Sequence, residues 1–194
     1  METHQNRPIP AQLSNHKQMR ATYLLGALLA LGIVALMAVW LLTRGGSGTI
    51  SLPAVGSAAA VSEAQLHALA KQTDHPIYWA GSKQGTYELT RLADGRIYIR
   101  YLPSADKVGV RSATYLTVGT YPAKHAYRSL QRAAARKGGV AVKIDKGGLL
   151  VFNASTANSV YFGYPSANYQ VEVFDPSPTQ ARSLVLAGRV TPIG

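Results

Sequence analysis

Four cations recur at every fourth residue in the second half of the chain: Lys124, Arg128, Arg132 and Arg136. On a helix each step of four advances by about 40°, so the four line one face. Ala126, Tyr127, Leu130 and Ala134 fall on the opposite face, where they would meet a core. Like charges at this spacing repel by roughly 0.2–0.5 kcal/mol per pair, and no acid in the segment offsets them. Lys137 adds a cation near the C-terminal end, where the helix dipole favours it. The chemistry open to such a stripe is electrostatic: docking of lipid headgroups, an anionic wall polymer or nucleic acid. A solvated, arginine-rich face of a basic protein is the plainer reading of the same residues.

Covalent chemistry has less to work with. Beyond residue 60 the histidines are His67, His75 and His125, and none forms a close metal-ligand pair with another. Asp74 and His75 adjoin, but neighbours in sequence rarely make a base and its orienter. There is no G-x-S-x-G elbow, no H-E-x-x-H and no cofactor motif. Most acids have structural duties: Asp94 and Asp145 in turns, Glu63 at a helix start, Glu88 opposite Arg100, Glu172 mid-strand and facing solvent. An enzyme would need acids and a histidine brought together only by the fold. Tyr78 and Trp79 could stack on sugar rings, although aromatic residues in strand-like segments more often pack in a core. Asn153-Ala154-Ser155 matches the N-glycosylation tripeptide, a short pattern that recurs by chance.

The chain that must position these residues has 194 residues, a formal net charge of +11 and no cysteine. The last point excludes disulfides, Cys-ligated zinc, iron–sulfur clusters and a cysteine nucleophile. Residues 21–43 form an uncharged apolar run, ATYLLGALLALGIVALMAVWLLT. As a helix it would span roughly 34 Å at about 1.5 Å per residue, against a hydrocarbon core of about 30 Å. Tyr23 and Trp40 stand near its ends, at headgroup depth. Arg7, Lys17 and Arg20 precede the run and only Arg44 follows closely. The expectation is therefore a short cytoplasmic tail (1–20), a single membrane-spanning helix (21–43) and an extracytoplasmic C-terminal part. A cleaved signal peptide competes, since Ala58 and Ala60 form an A-x-A-like pair. The apolar run, however, exceeds the usual h-region of about 7–15 residues.

Residues 44–60 are small and flexible in composition and read as a tether. Residues 61–194 carry 16 Lys and Arg against 8 Asp and Glu, enough basic surplus to attract polyanions. Ser62 with Gln65 predicts a capping box, stapled by Val61 and Leu66, and a helix from there to about Thr73. Ile77–Trp79 predicts a short strand. Tyr87–Thr90 and Arg96–Tyr101 alternate as a hairpin around Ala93-Asp94-Gly95. That register puts Tyr87, Leu89, Ile97, Ile99 and Tyr101 on one face and sets Glu88 against Arg100 on the other. A strand over 114–120 follows, then a helix opened by Pro122 and ended by Gly138-Gly139. Strands are expected at 140–145, 149–153, 159–163 and 168–174. A last helix is expected from Ser177 to Gly188, with an edge strand over 189–193. Mixed elements without regular βαβ alternation give an α+β domain of antiparallel hairpins and about three helices. Tyr78-Trp79 with Tyr87–Leu89 faintly echoes Tyr161-Phe162 with Tyr169–Val173, as two aromatic hairpins would.

The runs HPIYWAG (75–81), YELTRLADGRIYIRYLP (87–103) and LTVGTYP (116–122), behind one N-terminal anchor, resemble a group of uncharacterised membrane-anchored proteins of actinobacteria. The resemblance implies the topology and carries no activity and no site residues. The expected function is a membrane-anchored binding module of the cell envelope, attracted to anionic partners through Lys124, Arg128, Arg132 and Arg136. Nucleic acid becomes a partner only if the topology is inverted. The alternatives are an envelope enzyme, such as a hydrolase, and a structural anchor whose tail recruits a cytoplasmic partner.

Overall fold

Ten strands and three helices occupy residues 51–194, the part of the chain that the computed structural model describes. The membrane-spanning helix expected over 21–43 and the tail before it lie outside the described residues. Among those described, no helix is long and apolar enough to cross a membrane. The domain is α+β, as its mixed pattern predicts.

In chain order the elements are β1 (Ala58–Val61), α1 (Glu63–Ala70), β2 (Tyr78–Trp79), β3 (Thr86–Arg91), β4 (Ile97–Leu102) and β5 (Thr117–Pro122). Then come α2 (Ala126–Ala134), β6 (Gly139–Ile144), β7 (Gly148–Asn153), β8 (Ser159–Gly163), β9 (Tyr169–Phe174), α3 (Pro178–Leu186) and β10 (Thr191–Pro192). Eight strands form one antiparallel sheet in the order β1-β3-β4-β5-β9-β8-β7-β6. The chain meanders through β3, β4 and β5, crosses by α2 to the far edge, and meanders back to lay β9 against β5. β2 and β10 pair separately.

Register explains the core. Ala59, Leu89, Ile99, Val118, Val173, Val160, Phe152 and Val140 meet in one cross-strand row that runs through all eight strands. α1 contributes Leu66 and Leu69 to this side, and α3 contributes Ala181, Leu184 and Val185. Burying one such leucine is worth about 1.5–3 kcal/mol. α2 lies over the other face, where Leu130 packs with Leu149 and Val151. The same face also carries Glu88, Arg100 and Glu172.

Local signals set most boundaries. Ser62 accepts from the Gln65 backbone at 3.2 Å, and Gln65 Oε1 accepts from the Ser62 backbone at 2.9 Å, the predicted capping box. The helix stops at Ala70, short of Thr73, and Lys71 caps it through the carbonyls of His67 and Leu69. The hairpin register is as expected, with Glu88 opposite Arg100 and Gly95 at φ 83°. Ser177 caps α3 with Pro178 at its first position, and Gly188 closes it at φ 64°.

Three expectations are corrected. The tether extends too far: Ala58–Ala60 pair with Thr90, Leu89 and Glu88, and the Gly56 N–H donates to the Arg91 carbonyl at 2.7 Å. Small residues there serve a strand because β3 offers a ladder to complete. Pro122 opens no helix. It ends β5 opposite Tyr169, and the helix waits until Ala126, after His125 turns the chain at φ 58°. The strand expected over 114–120 begins at Thr117, because the preceding segment is drawn to Arg100 instead. The aromatic echo is no repeat: Tyr161-Phe162 lies in a hairpin with β9, while Tyr78-Trp79 pairs with β10 outside the main sheet.

Candidate functional site

α2 is amphipathic because Ala126 and Leu130 are buried against the sheet while Tyr127, Ala133 and Ala134 flank them. Arg128 and Arg132 therefore point away, one turn apart and exposed. The predicted stripe is shorter as a helical feature than its spacing suggested. Lys124 lies ahead of the left-handed His125, and Arg136 lies beyond the C-cap Ala135. Both are exposed, so two of the four cations stand on the helix and two on the segments that flank it. None of them joins an ion pair among the described residues, whose salt bridges are His67–Glu63, Arg96–Asp94, Arg100–Glu88 and Lys107–Asp106. Arg132 Nη2 donates to Ser129 Oγ at 3.0 Å, the only side-chain hydrogen bond among the four in the described residues. Arg136 and Lys137 follow the helix C-terminus, where the dipole attracts cations. The arrangement can bind anions by charge and offers no group for covalent chemistry.

The polar side of the sheet holds a second cluster that sequence reasoning missed. Glu172 on β9 accepts from Ser159 Oγ at 2.6 Å, from Tyr161 Oη at 3.0 Å and from the Tyr121 hydroxyl. It is half-buried, not solvent-facing as its mid-strand position suggested. The cross-strand partner Tyr161 was a readable signal, since the register of β8 and β9 sets it opposite Glu172. Gly119 lets the Tyr121 ring fold over β5: a Cβ there would stand 2.9 Å from Tyr121 Oη. Burial first, then the hydrogen bond to Glu172, holds the Tyr121 phenol well above its ordinary value. Burial and the Glu172 charge push Tyr161 up to about 12. With three hydroxyls on it, the carboxylate is committed as an acceptor and fastens β5, β8 and β9 together.

Among the described residues, two hollows stand out at the surface. The smaller, about 320 Å³, sits under α2 between Leu130, Arg136, Val151, Tyr161 and Gln170. The larger, about 690 Å³, lies between the β6–β7 turn, the β8–β9 turn and the end of α3. Tyr78, Phe162, Tyr164 and Tyr169 supply its aromatic wall, and Lys143, Asp145 and Lys146 its charged rim. Tyr78 and Trp79 are only 5% and 8% exposed, so they are core residues and no free stacking platform. Tyr78 is nonetheless one of the residues that line the larger hollow.

An assembled hydrolytic site needs two acids, or an acid and a histidine, within hydrogen-bond reach in a pocket. The two hollows contain one acid, Asp145, and no histidine. His67 and Glu63 stand 3.9 Å apart on exposed α1, outside both. Among the described residues no group of three His, Asp or Glu side chains could hold a metal ion. Asn153 Oδ1 accepts from the Ser155 backbone at 2.9 Å and from Ser155 Oγ at 2.6 Å, which ties the glycosylation tripeptide into a turn.

Comparison with protein-family models, with curated proteins and with solved structures found no match to this chain.

Proposed function

We propose that this protein is a membrane-held binding module whose basic α2 face docks on an anionic partner of the cell envelope. The observation that carries the reading is the set of four exposed cations, Lys124, Arg128, Arg132 and Arg136, with no acid paired to any of them among the described residues. Held by a segment such as 21–43 with the domain outside, this face would meet lipid headgroups or anionic wall polymer at high local concentration.

The test uses the full chain in neutral-lipid nanodiscs, mixed with phosphatidylglycerol vesicles or with anionic wall fragments. Replacing the four cations with Gln is expected to weaken capture of one or both and to flatten its salt dependence. Unchanged capture with an unchanged salt slope overturns the assignment.

A further inference from the structure

We propose that the larger cleft is a second, separate binding site, for a sugar ring carrying a phosphate or carboxylate. Its volume of about 690 Å³ falls within the range of roughly 300–1,000 Å³ typical of small-molecule sites.

Three features define the ligand class. The first is charge. Lys143 and Lys146 stand on the rim beside a single acid, Asp145, and no carboxylate among the described residues forms an ion pair with either lysine. The rim therefore favours an anion. The second is the hydroxyl set. Tyr78 and Tyr169 hold their hydroxyls 3.3 Å apart at the wall, and Tyr164 stands next to them. Each phenol can donate and accept, which matches the alternating hydroxyls of a sugar. The third is the ring arrangement. Phe162 and Tyr164 meet edge to face at 6.1 Å, and Tyr78 and Phe162 at 5.4 Å. Tyr164 and Tyr169, the half-buried rings of this wall, give an apolar backing for the C–H face of a pyranose or inositol, with the buried Tyr78 and Phe162 packed behind them. Burial holds the Tyr78 and Tyr164 phenols above their ordinary value, so they stay neutral and able to donate.

Backbone strain singles out the same rim. Lys146 adopts φ 56° although Gly147 beside it already supplies a flexible residue at φ 72°. A left-handed conformation at a residue with a Cβ costs about 1–2 kcal/mol, and such strain gathers at functional positions. A turn needing only shape would carry glycine or asparagine at 146. The lysine places a cation at the mouth of the cleft.

The experiment titrates the full chain in micelles, with tyrosine rings isotope-labelled for NMR, using glucose 6-phosphate and glucuronate. Glucose and inorganic phosphate are the comparisons. The expected result is saturable shifts of the Tyr164 and Tyr169 ring signals with at least one anionic sugar. Glucose or phosphate alone should bind at least tenfold more weakly. Lys143→Ala with Lys146→Ala should lose at least tenfold, while Arg128→Gln with Arg132→Gln should not change the affinity, which separates this site from the α2 face. Equal binding of phosphate alone or of glucose alone, unmoved tyrosine signals, or full affinity in the lysine variant overturns the proposal. Competition by phosphatidylinositol vesicles would support it with a lipid headgroup as the source. Binding without that competition would support it with a soluble sugar as the source.

Discussion

Arg100 Nη1 donates to Glu88 Oε1 at 2.6 Å across the β3–β4 ladder, with the Glu88 side chain only 2% exposed. Glu88 Oε2 also accepts the Gly109 N–H at 2.6 Å, and Arg100 Nη2 donates to the carbonyls of Val110 and Ser112 at 3.1 Å each. The pair thus fastens the 103–116 excursion onto the polar face of the sheet. Removing one partner of a buried pair costs about 3–5 kcal/mol, because the other charge is stranded. Arg100→Leu is expected to lose an amount of that order in denaturant unfolding and to expose residues 103–116 to protease. Equal stability and equal protection would contradict the clamp.

Gly119→Ala tests the Glu172 cluster. The new Cβ would crowd the Tyr121 ring at 2.9–3.2 Å, which forces the phenol off Glu172. Overpacking of this kind costs typically about 1–3 kcal/mol. Tyr121 should then ionise at lower pH than in the parent, as followed by tyrosinate absorbance. An unchanged titration would mean the ring escapes without losing its carboxylate.

The buried phenols also fix an alkaline limit. Burial raises Tyr78, Tyr101, Tyr121 and Tyr161 above the ordinary tyrosine value, Tyr161 to about 12. In the unfolded chain tyrosine loses its proton near pH ~10. Between these values the folded state binds more protons, so stability falls as pH rises. The contribution is complete below about pH 10 and is lost as pH rises through about 12. Melting temperature should stay level up to that onset and then decline. A Tyr161→Phe variant should decline less steeply. A flat profile to pH 12 would overturn the linkage.

The absence of cysteine from the chain makes topology directly measurable. A single cysteine at Ser57, an exposed position, is expected to react with a membrane-impermeant maleimide on intact cells. One at Ser14 is expected to stay unlabelled. The reverse result would place the basic domain in the cytoplasm and make inner-leaflet lipids or nucleic acid its leading partners.

Much of the fold was legible because it is written locally. Alternation from Tyr87 to Tyr101 with Asp94-Gly95 between fixes one hairpin. Ser62 with Gln65, and Ser177 with Pro178, each mark a helix start. What escaped was written nonlocally. Glu88 was legible as the partner of Arg100, but its burial was not, because its cover, residues 103–116, has no periodic pattern. Ala58–Ala60 looked like a tether because alanine becomes a strand only when β3 offers its edge. The basic stripe was legible in composition, but the breaks at His125 and Ala135 depend on the chain leaving β5 and entering β6. The cleft joins Tyr78, two turns and the end of α3, which no window of sequence contains.

The seam between β5 and β9 has a consequence for biosynthesis. The chain is made from its N-terminus, so β5 emerges well before Tyr169–Phe174, its eventual neighbour. Until then the first meander must stand with an open flank on the ribosome, able to recruit any passing strand. Gly119 and Pro122 lie on that flank. Proline cannot donate to a ladder, and glycine weakens strand pairing. The two residues that make β5 a poor template for strangers do not prevent β9 from joining it. They give the nascent domain time to wait for its own second half.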